Sequence, residues 1–299
     1  MTRRSLATLG LAVLLATAGG LLLFRKAAPV DPSALRVRAT ALSVKHRIRV
    51  EYGDPEQFEV PPYPKGSGAI PGTQMRVAEL AAVEPALAGL EQSLATYPPG
   101  FVSSLIRAIF LCGGLLLDGA EAGGTYGPAW LVLVATPTVG ERGIFQTARL
   151  GVHHELSSLV WNRSPQIQLR WRALLPTGWS PARTAKEALG AYEGDGKTPH
   201  DGFLSSYGAT TEENDFNVYA ETAFTEAAEL VKLAQSDATI AAKVALLIQA
   251  YEQIDARMGA VFQRLSLARF RRDQADSGTT VFSVPAPLVP TGQVVDLRE

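Results

Sequence analysis

The sequence contains only one cysteine and four histidines among its 299 residues. A single cysteine excludes an internal disulfide framework, and Cys112 lies in an apolar run at 109–112, so we expect a small buried side chain rather than a nucleophile. A basic stripe with interleaved aromatic residues, which is typical of nucleic-acid binding, is missing as well. The 28 Lys and Arg residues nearly balance the 29 Asp and Glu residues, which gives a net charge of -1. The sequence therefore predicts no nucleic-acid partner.

An apolar run long enough to cross a bilayer occurs at the N-terminus. Residues 5–24 carry no charge and have basic residues on both sides. We predict an uncleaved signal-anchor at 1–26, with a cleaved signal as the alternative, in a cell-envelope protein whose body lies outside the cytoplasm. The Pro-, Gly- and Thr-rich C-terminus predicts a flexible tail at 274–299, which leaves 27–273 as one folded domain.

Hydrophobic residues make up 46% of the chain and charged residues 19%, as is typical of a globular protein with a sizeable core. Residue periodicity predicts strands and helices in a mixed order, with a glycine-rich turn at 119–127. The predicted strands are 42–52, 108–117 and 130–135. The predicted helices are 75–96, 98–107, 145–160, 212–236 and 237–273. Strands, a central helix, loops and then long helices indicate an α+β protein.

The most informative segment is Gly-Val-His-His-Glu-Leu-Ser-Ser-Leu-Val-Trp at 151–161. His154 and Glu155 match the first half of the H-E-x-x-H signature, in which two histidines one helical turn apart bind zinc and the glutamate activates water. Ser158 stands where the second histidine would be, and a neutral hydroxyl is a poor zinc ligand. His153 is a further candidate ligand, although neighbouring helix positions point about 100° apart. The alternative is a structural role, in which the histidines cap or pack and Glu155 favours the helix dipole.

Several carboxylates follow about 60 residues downstream of this segment. Glu213 and Glu221 share one helical stripe with Asn217, and Asp215 lies between them in sequence. All three carboxylates are candidate metal ligands. His200, on the preceding loop, is another candidate, although a solvated side chain also accounts for it.

Three motifs occur in an order and at a separation that resemble the zinc metallopeptidases of bacterial envelopes. The motifs are His154-Glu155, Gly-Phe-Leu-Ser-Ser-Tyr at 202–207, and Asp215-Phe216. The resemblance extends over about residues 100–230. It implies a zincin-like α+β fold with a small N-terminal sheet, an active-site helix and a C-terminal helical part.

The resemblance also implies roles for individual residues. Zinc would be the cofactor, with His154 as a ligand and Glu155 as the general base that takes a proton from water. In zincins of the glutamate-ligand type, a second helix supplies the third ligand, here Glu221 or Asp215. Ser158 is the departure from the pattern of the family.

Three functions are compatible with these observations. The leading hypothesis is a zinc metallopeptidase that acts on a peptide or protein substrate and is attached to the membrane by its N-terminal segment. Tyr207 or Tyr219 would then donate a hydroxyl to the tetrahedral oxyanion, although packing also explains both residues. The second hypothesis is a catalytically inactive relative that binds a peptide or protein partner, which Ser158 favours. The third is an unrelated envelope protein whose long C-terminal helices serve assembly.

Overall fold

The computed structural model describes residues 30–58, 73–117, 119–190 and 200–271. The predicted signal-anchor at 1–26 and the predicted tail at 274–299 lie outside these residues. The chain divides into two units after Asp31, and the elements below belong to the second unit, which begins at Pro32.

Short strands form two sheets in the described part of the chain. The strands are β1 (Arg49–Tyr52), β2 (Thr73–Arg76), β3 (Ala108–Cys112), β4 (Gly114–Leu117), β5 (Ala120–Glu121), β6 (Gly124–Gly127) and β7 (Trp130–Val134). The main sheet has the order β1-β3-β7-β6, and the smaller sheet has the order β2-β4-β5. Strands β1, β3 and β7 are parallel, with Ile109 of β3 opposite Val50 and Leu131, and β6 is antiparallel to β7 at the edge. Every residue of β3 and β7 is buried, as expected for inner strands of a covered parallel sheet.

Helices cover the main sheet and form the C-terminal half. They are α1 (Pro32–His46), α2 (Leu80–Leu94), α3 (Phe101–Leu105), α4 (Gly140–Asn162), α5 (Pro165–Arg172), α6 (Ala185–Gly190), α7 (Glu212–Thr225), α8 (Ala227–Ser236), α9 (Ala238–Ile254) and α10 (Met258–Arg264). Helix α4 packs against α2, α7 and strand β7, so it lies at the centre of the unit. The predicted α+β class is confirmed. None of the described helices combines the length and apolar composition needed to cross a bilayer.

The strand predicted at 42–52 is wrong in its first half. Helix α1 continues to His46, and β1 begins only at Arg49. Arg47 between them adopts a positive φ of 56°, which ends the helix. The buried residues of α1 recur at helical spacing and are Leu35, Ala39 and Leu42. Lys45 lies in the last helical turn, where positive charge is favourable.

Glycines explain two further differences in the N-terminal half. The strand predicted at 108–117 is interrupted at Gly113, where an added Cβ would collide with the carbonyl oxygen of Val77. The chain changes sheets at this point, and β4 pairs with β2, so the helix predicted at 75–96 begins only at Leu80. The glycine-rich segment predicted as a turn at 119–127 contains β5 and β6.

In the described residues, the first of the two long C-terminal helices predicted from periodicity is broken once, and the second is broken twice, after α9 and after α10. Helix α7 ends before Glu226, and α9 ends before Asp255. Between them, Asp237 begins α9 by accepting hydrogen bonds from the backbone N–H groups of Thr239 and Ile240. The strand predicted at 130–135 is confirmed, and α4 extends beyond the helix predicted at 145–160 in both directions.

Candidate functional site

Helices α4 and α7 pack side by side and bring His154 into contact with Glu221. Nδ1 of His154 lies 3.1 Å from Oε1 of Glu221, across 67 residues of sequence. Both side chains are largely buried, with 12% and 18% of their surface exposed. The His-Glu motif and one of the downstream carboxylates therefore meet at one place.

The ionisation of His154 is governed by the carboxylates around it. Burial disfavours the imidazolium, but the hydrogen bond and charge of Glu221 outweigh burial and raise the pKa of His154 above its usual value. The charges of Glu155 and Glu213 act in the same direction. A protonated His154 would donate a charge-assisted hydrogen bond to Glu221.

Glu155 is the next residue on α4 and lies deeper, with 8% of its surface exposed. Burial raises its pKa to about 7; the charge of His154 opposes this shift, and the charges of Glu213 and Glu221 increase it. In the part of the chain that the structure describes, Glu155 has no hydrogen bond and no ion pair. A Cβ on Gly124 of the edge strand β6 would lie only 2.8 Å from Oε1 of Glu155, so the glycine leaves room for the carboxylate.

Two tyrosines border these acidic groups. Burial raises the pKa of Tyr126, and the charge of Glu213 and a hydrogen bond with it raise the pKa further. Nδ2 of Asn162 donates to the Tyr126 hydroxyl over 3.0 Å. The Tyr207 ring centroid lies 5.7 Å from that of His154. We call His154, Glu155, Glu213 and Glu221, with Tyr126 and Tyr207 at the edge, the Glu155 site.

Ser158 takes part in a buried connection between the two helices. Nδ2 of Asn217 donates to Oγ of Ser158 over 2.8 Å, and Oγ of Ser157 donates to Oδ1 of the same asparagine. Ser158 has 1% of its surface exposed. The position that would carry the second histidine of H-E-x-x-H is therefore occupied by a polar contact that joins α4 to α7.

His153 lies apart from the Glu155 site, in a buried aromatic group. The Tyr97 hydroxyl lies 2.7 Å from Nδ1 of His153, and the imidazole stacks on Phe224 with ring centroids 5.0 Å apart. Burial lowers the pKa of His153 to about 3, and the charge of Arg149 acts in the same direction. His153 is thus a neutral packing residue, and the structure does not bring it to His154 as a second metal ligand. Because both histidines lie well inside α4, they do not cap it.

Asp215, another candidate metal ligand, is paired outside the Glu155 site. Its Oδ2 accepts hydrogen bonds from Nζ of Lys243 over 2.6 Å and from Nε1 of Trp171 over 2.8 Å. Both members of the ion pair are fully buried. Burial raises the pKa of Asp215, and the Lys243 charge opposes the shift. Asp215 and Glu221 are six positions apart in sequence, which places them about 120° apart around α7.

Lys243, which the sequence analysis missed, fixes the loop before α7. Its Nζ donates to the carbonyl oxygen of Gly202 over 2.8 Å, and the Tyr219 hydroxyl donates to the same oxygen over 2.8 Å. The Phe203 ring centroid lies 4.4 Å from Nζ, within cation–π distance. A lysine within the otherwise apolar face of α9 was the available signal. We call Lys243, Asp215, Trp171 and Gly202 the Lys243 cluster.

The remaining candidates lie elsewhere. His200 pairs with Phe203 through two backbone hydrogen bonds, and its side chain is 45% exposed. Cys112 is buried in β3, and burial raises its thiol pKa to about 11. Among the described residues, neither His200 nor Cys112 forms a metal-binding group with the side chains of the Glu155 site. The Tyr219 hydroxyl donates to the Gly202 carbonyl oxygen of the loop instead of contacting this site.

A catalytic zinc ion needs three protein ligands and an open position. In the described residues, no group of three or more His, Cys, Asp or Glu side chains has an arrangement that could hold a metal ion. His154 and Glu221 would supply two ligands, but Ser158 is held by Asn217 in the position of a third. The side chains described here therefore do not fit the zinc centre that the sequence predicted.

Comparison of the chain with models of known protein families, with characterised proteins and with solved structures gives no match.

Proposed function

We propose that this chain is a zincin-like envelope protein that has lost its metal centre and binds a peptide or protein partner at the Glu155 site. The observation that carries this proposal is the hydrogen bond from Asn217 to Ser158. Ser158 stands at the position of the second zinc ligand, and its hydrogen bond with Asn217 holds α4 against α7. We further propose that the protein lies in the cell envelope, attached by residues 1–26, with its body outside the cytoplasm.

The zincin-like part of the proposal is supported by how the motifs come together. His154 and Glu155 lie near the centre of one helix, and Glu221 reaches His154 from a second helix. A mixed sheet lies beside the first helix, and its antiparallel edge strand β6 passes next to Glu155. These are the positions that the resemblance assigned to a zinc ligand, a general base and a further ligand.

The same convergence makes a zinc metallopeptidase the second candidate function. Glu155 has a pKa of about 7 and lies beside the His154–Glu221 pair, which suits a group that exchanges a proton near neutral pH. This candidate lacks a third protein ligand among the described side chains. Binding of zinc therefore separates the two candidates.

The test is the zinc content of the full-length protein after loading with zinc and removal of the excess, measured by elemental mass spectrometry. We expect far less than one zinc per chain in the parent. About one zinc per chain, lost in both His154→Ala and Glu221→Ala, would overturn the proposal in favour of the peptidase.

A gain-of-ligand variant tests the zincin-like geometry itself. Ser158→His completes H-E-x-x-H, so we expect it to bind zinc through His154, and the added His154→Ala change should abolish the binding. Leu159→His is the control, because a residue five positions after His154 lies about 140° away from it around the helix. If both variants fold and bind zinc equally, the geometry of this site is not that of a zincin.

A further inference from the structure

The Glu155 site concentrates negative charge. The charged groups that act most strongly on Glu155 are His154, Glu213 and Glu221. Together with Glu155 itself, the site holds three carboxylates and one imidazole. His154 can compensate one carboxylate, through its contact with Glu221. The site therefore keeps an excess of negative charge when its glutamates are ionised.

The deepest of these groups is the one without a partner. Glu155 is more than nine-tenths buried and, within the described ranges, forms neither a hydrogen bond nor an ion pair. A buried carboxylate is costly unless a proton or a positive group compensates it. By contrast, the buried Asp215 has Lys243 and Trp171 on its Oδ2.

The surroundings suit an organic cation. Gly124 places only a hydrogen atom where a side chain would press on Oε1 of Glu155. Tyr126 and Tyr207 border the site, and aromatic faces attract ammonium and guanidinium groups. Hard metal ions such as Ca²⁺ take six to eight oxygen ligands, and no described group of acidic side chains has a metal-binding arrangement.

We infer that the Glu155 site binds a positively charged side chain of a partner, an ammonium or guanidinium group, with Glu155 and Glu213 as its counter-charges. This inference rests on the proposed function, because it names the chemistry of the partner at the same site. The cation takes the place that a metal ion would take in a zincin.

The experiment titrates the full-length protein with three small probes at about pH 8, where Glu155 is ionised: N-acetyl-lysine amide, N-acetyl-arginine amide and the uncharged N-acetyl-norleucine amide. Binding is followed by NMR shifts of the histidine side chains. We expect one or both cationic probes to bind at least tenfold more tightly than the norleucine probe, and to move the His154 signals but not those of His153. Comparison of the lysine probe with the arginine probe shows whether an ammonium or a guanidinium group is preferred.

Two variants assign the binding to this site. Glu155→Gln and Glu213→Gln should each weaken the binding of the cationic probe at least tenfold, whereas Glu84→Gln, on the exposed side of α2, should leave it unchanged. Thermal unfolding of each variant shows whether it is folded. Equal binding of all three probes, or undiminished binding in both folded site variants, overturns the inference.

The zinc measurement separates the two proposals. A protein that takes up neither zinc nor a cationic probe overturns this inference but leaves the loss of the metal centre standing. A protein that takes up about one zinc per chain overturns both.

Discussion

The protein buries acidic side chains in two places, the Lys243 cluster and the Glu155 site. The two places differ in whether a positive group compensates the negative charge. In the Lys243 cluster, Asp215 receives a lysine and an indole N–H on one oxygen, although its Oδ1 has no hydrogen bond. In the Glu155 site, the buried carboxylate has no such partner among the described residues, and its pKa rises to about 7. A paired buried charge serves the fold, whereas an unpaired one is costly and marks a candidate site of function.

The largest expected effect is the loss of the partner in the Lys243 cluster. Lys243→Met leaves Asp215 buried and unpaired, which should lower the free energy of unfolding by about 3–5 kcal/mol. Denaturant unfolding at neutral pH measures it. Lys232→Met is the matched control, because Lys232 pairs with Glu229 on the surface, where an ion pair contributes about 0–1 kcal/mol. Similar small losses in both variants would show that the buried pair does not support the fold.

Removing the charge of Glu155 should stabilise the protein, which is opposite to the effect expected for Lys243→Met. Because the folded-state pKa of Glu155 is raised from 4.5 to about 7, the folded protein holds this proton more tightly, and stability is lost as pH rises through that window. Glu155→Gln should therefore raise the free energy of unfolding by roughly 2–3 kcal/mol at about pH 8 and by little at about pH 4. Some pH dependence remains, because the pKa of His154 is raised too.

Unfolding curves of the parent and of Glu155→Gln across this pH range test the sign. Glu84→Gln serves again as the exposed control and should leave the pH dependence unchanged. A Glu155→Gln protein that is destabilised at about pH 8 would mean that the carboxylate is compensated in the folded state, and the contrast between the two regions would fail.

A smaller loss is expected at the connection beside the Glu155 site. Ser158→Ala leaves Nδ2 of Asn217 buried without its acceptor, which should cost about 1–2 kcal/mol of unfolding free energy. Ser236→Ala, at the exposed end of α8, is the control and should change stability by less than about 0.5 kcal/mol. A neutral Ser158→Ala would remove the main support for a structural role of Ser158.

The smallest effect concerns the histidine outside the site. Tyr97→Phe removes the hydroxyl next to Nδ1 of His153 and should lower the free energy of unfolding by about 1 kcal/mol. The His154 NMR signals should be unaffected, because its hydrogen-bond partner is Glu221 on α7 and not Tyr97. A change in the titration of His154 in this variant would show that the two histidines are coupled.

The parts of the fold and of the site that depend on residues close together in sequence could be predicted, whereas those that depend on distant residues could not. The α+β class, the strand at 130–135 and the central helix follow from local periodicity. The resemblance implied that either Glu221 or Asp215 would join His154 and Glu155, and Glu221 is the one that contacts His154. The separate positions of His153 and Asp215 depend on packing partners far away in sequence, such as Tyr97 and Lys243. Local patterns do not contain those partners. The sequence analysis missed Tyr126 for the same reason, because the pairing of β6 with β7 brings this residue to the site.

The His153-His154 doublet gives the molecule an internal reference for spectroscopy. Two adjacent imidazoles share a helix, yet burial holds the pKa of one near 3, while carboxylates raise the pKa of the other. Across the neutral range the first signal should stay still while the second moves. Any shift in the His153 signal would report a disturbance of the helix itself, whereas movement of His154 alone would report an event confined to the Glu155 site.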